Sequence, residues 1–234
     1  MDCPYCQSHK VVKNGHRQGK QSYLCRDCGR QFRDSPCPAG YSSDVKELCV
    51  KMSLNGMGFR AIERVSGISH NTVLNWVRLA QAQICDDNYE IPETAQIDEL
   101  QTLESSKKTI WVWTVVNSQM PGILKFVIGD RCAATFTVLW QMIHGWACFL
   151  YITDGYKVYP CLIDDCVRVS GAEHYHLVSK TAMTRVEGEN CRLRHYLARL
   201  HRKTLCYSKS IDMLYRSIHL LIYYLKHQQI PQFS

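Results

Sequence analysis

The sequence predicts a multidomain α+β protein, and three successive patterns along its 234 residues support this fold class. Four cysteines stand in two close pairs near the N-terminus, a stretch with helical periodicity follows, and strand patterns then alternate with helical ones. We expect a zinc ribbon, a helix-turn-helix unit, a linker and a larger α/β domain with a mixed sheet. Their predicted boundaries are residues 1–40, 41–84, 85–95 and 96–234.

The zinc ribbon is predicted from the spacing of the two cysteine pairs. The pairs occupy the motifs CPYC and CRDC and consist of Cys3, Cys6, Cys25 and Cys28. A pair separated by two residues can bind one ion from a tight turn, and a second pair completes the tetrahedron that structural Zn²⁺ prefers. Between the pairs, Asn14-Gly15 and Gln18-Gly19 predict the turns of a basic β-hairpin. A redox dithiol or a disulfide is the alternative use of such cysteines.

The net charge of +7 is distributed unevenly along the chain. Residues 1–84 and 185–234 each carry +6, whereas residues 85–120 carry −5 and residues 121–184 are neutral. Basic ends favour a polyanionic partner, and carboxylates gathered in the middle of such a protein favour bound metal ions. A surface charge that only maintains solubility is the alternative explanation.

The remaining cysteines and the apolar stretches bear on the cellular compartment. Nine cysteines lack ligand spacing, and we expect them to be reduced residues of the core. The longest apolar stretches are interrupted by histidine or glycine, and the N-terminus does not resemble a signal peptide. We therefore expect a soluble, intracellular protein.

Residues 43–82 contain three segments whose apolar residues recur at intervals of three and four, which predicts three helices. We expect Gly67 at the tight turn before the third helix and Ser69 as the N-cap of that helix. In a helix-turn-helix the first residues of the last helix enter the major groove of DNA. The residues expected to contact bases are His70, Asn71 and Asn75. Those expected to contact phosphates are Arg60, Arg64 and Arg78. A plain three-helix packing module would show the same periodicity.

After the linker, the pattern changes to strands rich in β-branched and aromatic residues. Three strands are predicted at Thr94–Leu103, Ile110–Asn117 and Ile123–Ile128, followed by a helical period over 132–144. The continuous apolar run at 148–153 predicts a strand buried on both faces. A meander of three strands, a helix and a buried fourth strand is the layout of a ribonuclease H-like fold.

Three acidic residues are candidates for catalysis in this layout. Asp98 lies inside the first strand, Asp154 just after the fourth, and Glu187 at the start of a later helix. Three carboxylates in one pocket repel each other unless cations neutralise them. We therefore expect two Mg²⁺ or Mn²⁺ ions that activate a water or a 3′-hydroxyl and stabilise the leaving oxygen.

Each of these acids also has a simpler interpretation. Asp98 could be a charge at a strand edge, and Asp154 could be an ordinary turn residue before Gly155. Glu187 could complete a capping box with Thr184. In addition, Glu99 could replace Asp98 if the strand register is shifted by one residue, and Glu189 could replace Glu187 as the third acid.

Basic residues follow the third acid, where DNA strands would have to lie. The residues expected to contact DNA are Arg192, Arg194, Arg199, Arg202 and Lys203, with Lys209 as a further candidate. A solvated helix face is the alternative explanation. Phosphate contacts from His174, His176 and Lys180 are less strongly indicated, because lone histidines usually have structural partners.

Several motifs together resemble one known family. They are CPYC, CRDCGRQF, NGMGFRAIERVSGISHNTVLNWV, IDELQT, FVIGDR, YITDGY and TRVEGENCRLRHYLARLHRKTLCYSKS. With them the chain resembles the insertion-sequence transposases whose prototype is insertion sequence one, which has paired short reading frames. The resemblance implies an Asp-Asp-Glu triad in a ribonuclease H-like domain, which falls on Asp98, Asp154 and Glu187. It also implies that the zinc ribbon and the helix-turn-helix hold terminal inverted repeats.

The function expected from this resemblance is DNA transposition, and the resemblance also implies a location in the prokaryotic cytoplasm, associated with the nucleoid. Such an enzyme binds double-stranded DNA at the inverted repeats, cleaves at the element ends and joins the freed 3′-hydroxyl to target DNA. It is expected to act as a homodimer or higher oligomer, because two ends must be held together. The alternative is a non-catalytic DNA-binding regulator or an inactive copy of the element.

Overall fold

The computed structural model describes residues 2–17, 19–33, 40–85, 90–105, 108–146, 148–170, 175–201 and 206–232, with the side chains of 165–170 excepted. These residues form a mixed α+β structure of two compact units, Met1–Ser42 and Ser43–Ser234. Each unit is described by itself.

The first unit is a three-stranded antiparallel sheet. Its strands are β1 (Val11–Arg17), β2 (Lys20–Cys25) and β3 (Gln31–Arg33), in the order β1-β2-β3. The turn expected at Asn14-Gly15 is wrong, because these residues form an irregularity inside β1, between Lys13 and His16, where the pairing register shifts. The chain reverses further along, next to Gly19, and Gln18 lies outside the described residues.

The apolar core of this first unit is small. Among its described residues, Cys3, Cys25 and Phe32 are buried, and Val11 and Tyr23 pack partly against them. The Tyr23 and Phe32 rings stack with centroids 5.6 Å apart. So few apolar side chains cannot offset the conformational entropy lost on folding, and units of this size normally depend on a metal or on disulfides.

The second unit begins with three helices. They are α1 (Ser43–Leu54), α2 (Phe59–Ser66) and α3 (His70–Ala82). Gly67 ends α2 in the left-handed conformation, with φ of 70°, and its N–H donates to the Glu63 carbonyl, as the tight-turn prediction requires. Ser69 is the N-cap residue of α3, as predicted, but the expected capping hydrogen bond from its hydroxyl is not made.

A five-stranded mixed sheet follows. Its strands are β4 (Thr94–Glu104), β5 (Lys108–Asn117), β6 (Ile123–Gly129), β7 (Leu150–Thr153) and β8 (Tyr175–Val178). The spatial order is β6-β5-β4-β7-β8. The pairs among β4, β5 and β6 are antiparallel, whereas β7 lies parallel to both β4 and β8. The three-stranded meander and the buried fourth strand thus appear in the predicted sequence order, although β7 begins two residues later than predicted.

Helices cover both faces of this sheet. They are α4 (Ala133–Ile143), α5 (Val158–Ser170), α6 (Thr184–Tyr196) and α7 (Ile211–His227), with short 3-10 turns at His144–Trp146 and Ala198–Leu200. Side chains of β4 alternate between the faces. Ala95 and Ile97 join a core cluster with α4 and α5, while Leu100 joins a second cluster with α6 and α7.

The second core cluster also contains the three N-terminal helices of the unit. Val73, Trp76 and Val77 of α3 belong to the same cluster as Leu100 of the sheet and Leu214 of α7. The three helices therefore share a core with the sheet. The domain boundaries drawn from the sequence remain predictions, and residues 86–89 of the expected linker lie outside the described residues.

The expectation that the other cysteines lie in the core is wrong for several of them. Cys49 and Cys148 are buried, but Cys132 is half-buried, and four more are exposed. The exposed ones are Cys85, Cys161, Cys191 and Cys206. They lie on solvent-facing positions of helices and connections, which apolar neighbours in sequence do not reveal. Cys37 and the side chain of Cys166 lie outside what the structure describes.

Along the described ranges, no helix combines the length and apolar character of a membrane span.

Replacing Trp113→Ala should destabilise the second unit by about 3–5 kcal/mol, because it empties a large volume in a close-packed core. The Trp113 indole is fully buried, stacks on Phe136 at 5.5 Å and meets the edge of Tyr159 at 5.7 Å. Urea unfolding followed by circular dichroism measures the change. The control Val138→Ala, at an exposed position of α4, should shift stability by less than about 0.5 kcal/mol. Equal losses in the two variants would contradict this account of the core.

Candidate functional site

The four cysteines of the first unit converge into one cluster. Their sulfur atoms all lie within 4.8 Å of one another, with Cys3 Sγ 3.6 Å from Cys28 Sγ and Cys6 Sγ 3.6 Å from Cys25 Sγ. A tetrahedral Zn²⁺ with bonds of about 2.3 Å requires sulfurs about 3.8 Å apart. The arrangement fits a zinc ion and is compatible with a zinc ribbon.

Backbone hydrogen bonds shape the two cysteine turns alike. The N–H of Gln7 donates to the Cys3 carbonyl, and the N–H of Gly29 donates to the Cys25 carbonyl. Near the second turn, the backbone N–H groups of Cys28 and Asp27 lower the pKa of Cys25 to about 6. The Ser8 N–H acts in the same direction on Cys6, but the neighbouring thiols and burial outweigh it and raise the pKa of Cys6 to about 12. Four thiols this close cannot all ionise unless a cation is bound among them.

In the second unit, the parallel pairing of β4 and β7 brings two acids level. Thr94, Ala95 and Gln96 pair with Leu150, Tyr151 and Ile152, a constant offset of 56 positions. The same offset sets Asp98 opposite Asp154, just beyond the end of β7. Asp98 lies two residues after Gln96, and Asp154 lies two residues after Ile152. Because side chains two residues apart along a strand share a face, both acids point toward the face that α6 covers.

Two amide side chains dock α6 onto this face. Gln96 Oε1 accepts a hydrogen bond from the backbone N–H of Val186 at 3.0 Å. Asn190 Nδ2 donates to Asp98 Oδ2 at 2.9 Å, and Asn190 Oδ1 accepts from the Thr114 hydroxyl at 3.0 Å. Gln96 and Asp98 are two residues apart on one strand face, and Val186 and Asn190 are four apart on one helix face. The first turns of α6 are therefore fixed against β4 at two points.

Glu187 lies on the first turn of α6 and is exposed. The capping-box alternative is not realised, because the helix is capped by Met183 and Thr184 already lies within it. Burial raises the pKa of Asp98, and the negative charges of Asp154 and Glu187 raise it further. The ionisation of Asp98 therefore depends on the charges of both other acids. Their oxygens are not as close as the cysteine sulfurs, which among the described residues form the one group of three or more potential metal ligands that lie within 4.8 Å of one another.

Glu99 and Glu189, the alternative acids, are engaged elsewhere. The buried Glu99 carboxylate accepts from Arg131 Nε at 2.7 Å and also from the Tyr159 hydroxyl, on the opposite face of β4 from Asp98. Buried Glu189 accepts from the Gly122 N–H at 3.0 Å and from Arg192 Nη1 at 3.0 Å. Both are neutralised by arginines, whereas Asp98 and Glu187 have no arginine partner among the described residues.

The turn after β7 holds Asp154 in place. Asp154 Oδ1 accepts a hydrogen bond from the backbone N–H of Tyr156 at 2.8 Å. Between them, Gly155 has φ of 86°, and a Cβ there would approach Val178 Cγ1 of β8 to 2.7 Å. Only glycine fits this position without displacing its neighbour. The Asp154 side chain thus closes a tight loop with the Tyr156 N–H, and this contact uses Oδ1 of its carboxylate.

Carboxylate oxygens are the ligands that Mg²⁺ and Mn²⁺ prefer. Asp98, Asp154 and Glu187 could hold such ions, since their mutual repulsion is what a divalent cation relieves. The donor set and the electrostatics fit the expected ions.

The expected DNA-contacting residues of the three-helix region differ in their surroundings. Asn71, Asn75 and Arg78 line the exposed face of α3. Arg60 and Arg64 of α2 are also exposed. His70 is only partly exposed, and its Nδ1 lies 2.7 Å from Glu63 Oε2, so it is engaged with α2 rather than free at the helix start.

The basic residues after Glu187, which were expected to contact DNA, differ in their exposure and partners. Arg192 is paired with Glu189, and Arg194 is partly buried. Arg199 turns inward: its guanidinium lies 5.2 Å from the Phe59 ring centre and donates to the Met213 carbonyl at 3.4 Å. Burial lowers the pKa of Arg199 to about 10. A surface DNA contact from Arg199 is therefore wrong. Arg202 and Lys203 lie outside the described residues.

The weaker phosphate candidates differ in their positions. The His176 ring is buried, with Nδ1 2.8 Å from Asp164 Oδ1 and Nε2 2.8 Å from the Thr153 hydroxyl. It is a structural residue beneath the turn of Asp154. Lys180 is exposed, and His174 lies outside the described residues.

Sequence reasoning missed the two amides that hold the site together. Gln96 precedes Asp98 by two residues, and Asn190 follows Glu187 by three. Their spacing from the acids places them on the same strand face and the same helix face. That spacing was the available signal, but amides at such positions are common on surfaces as well.

The comparisons with known proteins concern the second unit. The sequence profile of the family described as IS1 transposase matches residues 94–228, more than half of the chain. The insertion element IS1 protein InsB of Shigella sonnei is 31% identical over 103 residues, which cover 44% of this chain and 72% of that protein. Over the same length and at the same identity, the match covers 57% of the IS1 9 protein InsB of Escherichia coli strain K12 and 57% of the IS1 protein InsB of Haemophilus ducreyi. The chain thus spans less than two thirds of these last two relatives.

Replacing Cys25→Ser should remove the bound zinc, because three thiolates cannot close the tetrahedron of a structural site. We expect about one zinc ion per purified wild-type chain by elemental analysis and none in the variant. Hydrogen exchange in β1 and β2 should rise, since the small core depends on the metal. Cys161→Ser, at an exposed position on α5, is the matched control and should retain the zinc. Wild-type protein without zinc would contradict the assignment.

Replacing Asp98→Asn should stabilise the metal-free protein at pH 7. The folded-state pKa of Asp98 is raised above its ordinary value of 3.8, so the ionised form opposes folding at neutral pH, and this penalty is absent below the ordinary value. Urea unfolding in a chelating buffer should give a gain in stability at pH 7 that vanishes near pH 3.

Divalent ions and a surface variant provide the controls for this effect. Adding Mg²⁺ should stabilise the wild type more than Asp98→Asn, because the ion neutralises the same repulsion. Asp130→Asn, at an exposed position, should change neither quantity. A less stable Asp98→Asn protein at pH 7 without metal would show that the three acids do not interact unfavourably.

Proposed function

The chain belongs to the IS1 transposase family, and from this we propose that it is a DNA transposase. It binds the terminal inverted repeats of an insertion sequence and catalyses metal-dependent strand cleavage and strand transfer. The observation that carries this proposal is the parallel register of β4 and β7, which sets Asp98 level with Asp154 on the face covered by the helix of Glu187.

The catalytic part adopts a ribonuclease H-like fold in this proposal. The sheet order β6-β5-β4-β7-β8, with three antiparallel strands followed by two parallel ones, supports it. Catalytic groups in open sheets with parallel strands gather beyond the carboxyl ends of the strands. Asp154 stands at such an end.

Asp98, Asp154 and Glu187 hold two Mg²⁺ or Mn²⁺ ions. When bound, such a pair of ions activates the attacking oxygen and stabilises the leaving oxygen of an in-line displacement at phosphorus. The residues around the acids orient them. Asn190 fixes one oxygen of Asp98, and the Tyr156 N–H fixes one oxygen of Asp154. Both donors are uncharged, so they orient the carboxylates while leaving the site its negative charge.

DNA is bound by the three helices in a helix-turn-helix arrangement. The exposed face of α3 carries Asn71, Asn75 and Arg78, whose amides suit adenine edges and whose guanidinium suits phosphate or guanine. Arg60 and Arg64 on α2 contact phosphates. The zinc ribbon contacts DNA through its own basic hairpin, formed by β1 and β2. The partners are double-stranded DNA, both repeat and target, and further copies of the chain in a dimer or higher oligomer.

Replacing Asp154→Asn or Glu187→Gln should lower strand cleavage by a factor of about a hundred or more, because electrostatic stabilisation of the reacting phosphate contributes on that scale. The substrate is a labelled duplex that carries the inverted repeat read from the DNA flanking the gene, incubated with Mg²⁺. Binding of the duplex in a gel shift should not fall.

The matched control is Glu189→Gln, two residues from Glu187 on α6. Glu189 contacts Gly122 and Arg192, so its loss should lower thermal stability while cleavage per folded molecule is retained. If Glu189→Gln abolishes cleavage and Glu187→Gln does not, the third acid is Glu189. If the wild type shifts the duplex without cutting it, the chain is a DNA-binding regulator instead.

A further inference from the structure

The C-terminal end of α3 is held to α7 by a polar clasp. Gln81 Oε1 accepts a hydrogen bond from Arg216 Nη1 at 2.7 Å, and Gln81 Nε2 donates to His219 Nδ1 at 3.0 Å. The amide therefore uses both of its polar atoms on α7. Because His219 Nδ1 accepts, the ring carries its proton on Nε2 when neutral.

The partners of Gln81 are themselves fixed. Arg216 Nε lies 3.0 Å from both carboxylate oxygens of Asp212, one turn earlier on α7. The His219 ring packs against Tyr215 and Phe126, with centroids 5.7 Å and 6.4 Å away. Since Phe126 lies on β6, the chain of contacts runs from α3 through α7 to the sheet.

A second set of contacts joins the three helices to the sheet just after the end of α6. Arg199 reaches between Phe59 at the start of α2 and the Met213 carbonyl of α7. Its own carbonyl accepts from the Thr102 hydroxyl of β4 at 3.1 Å. Arg199 therefore touches α2, α7 and the strand of Asp98, a position that its inward turn after α6 makes possible.

Apolar packing fills the space between these two polar contacts. Val73, Trp76, Val77 and Ala80 of α3 are buried in the cluster that also includes Leu214 and Leu221 of α7 and Leu100 of β4. A continuous core of this kind cannot be opened without exposing a large apolar area to water, which is unfavourable. The helices therefore do not move independently of the sheet.

We propose that Gln81, Arg216 and Arg199 are positioning residues that hold the DNA-reading helix α3 at a fixed distance and angle from the carboxylates. The inference rests on the proposed function. The distance from the bound segment of the repeat to the cleavage site is therefore fixed by a rigid body. A flexible tether would let the active site reach the element end over a range of spacings.

The test uses the full chain and two labelled duplexes. One carries the inverted repeat read from the DNA flanking the gene. The other has five base pairs, about half a helical turn, inserted between the segment that α3 protects in a footprint and the outer end of the repeat. The wild type should bind both duplexes equally but cut the second at least tenfold more slowly.

The clasp variant is Gln81→Met, which keeps the length of the side chain and removes its hydrogen bonds. It should bind the repeat within twofold of the wild type, spread its cuts over several nucleotides and discriminate less between the two duplexes. A purely structural role would lower both cleavage rates together and leave the cut positions sharp. Gln83→Met, exposed at the same end of α3, is the matched control and should behave as the wild type.

Two outcomes would overturn the inference while leaving the proposed function intact. They are equal cleavage of the two duplexes by the wild type, and a single sharp cut by Gln81→Met with wild-type discrimination.

If the wild type cuts neither duplex, the proposed function fails and hydrogen exchange alone decides about the clasp. Amide protection in α3 should then fall at least fivefold in Gln81→Met, relative to β5, and not in Gln83→Met. Unchanged protection in α3 of the Gln81→Met protein would reject the clasp.

Discussion

The second unit depends on holding like charges together at one end of its sheet. Asp98 is partly buried, and the charges of Asp154 and Glu187 add to the effect of burial in raising its pKa. Bringing these groups together opposes folding, so the rest of the structure must offset it. The offset comes from apolar clusters on both faces of the sheet and from the two amides, Gln96 and Asn190, that tie α6 to β4. A neutral amide is suited to this task because it orients a carboxylate without cancelling the charge that would bind a cation.

Acidic residues that lie close together in the sequence have different surroundings in the structure. Asp98 and Glu99 are adjacent on β4, yet one faces α6 and the other faces α5, where Arg131 and Tyr159 satisfy it. On α6, Glu187 is exposed, whereas Glu189 is buried and neutralised by Arg192. In each pair one carboxylate has an arginine partner, and the other has none within the described ranges. The negative charge is thereby confined to the three acids on one face.

Sequence patterns predicted the order of strands and helices because alternation and helical period are local properties. The meander, the helix after it, the buried strand before Asp154 and the helix that carries Glu187 follow from them. The choice within each acid pair did not follow, since a shift of one residue in β4 would exchange Asp98 and Glu99. Arg199 was assigned to DNA for a similar reason. A continuing helix would expose it, but α6 ends at Tyr196, and a 3-10 turn rotates the side chain inward. Which residue ends a helix is set by tertiary contacts such as the Thr102 bond to the Arg199 carbonyl.

The two kinds of metal site implied by the chain have opposite relations to folding. The first unit buries so few apolar groups that a cation among its four sulfurs would supply much of its folding free energy. The second unit has large cores and folds around its carboxylates, so a cation there would relieve a strain that packing already withstands. Weak binding to the acids is tolerable for stability, and it suits ions that must be exchanged or shared with a phosphate. Tight binding to the cysteines is required, and thiolates are the ligands that provide it for zinc.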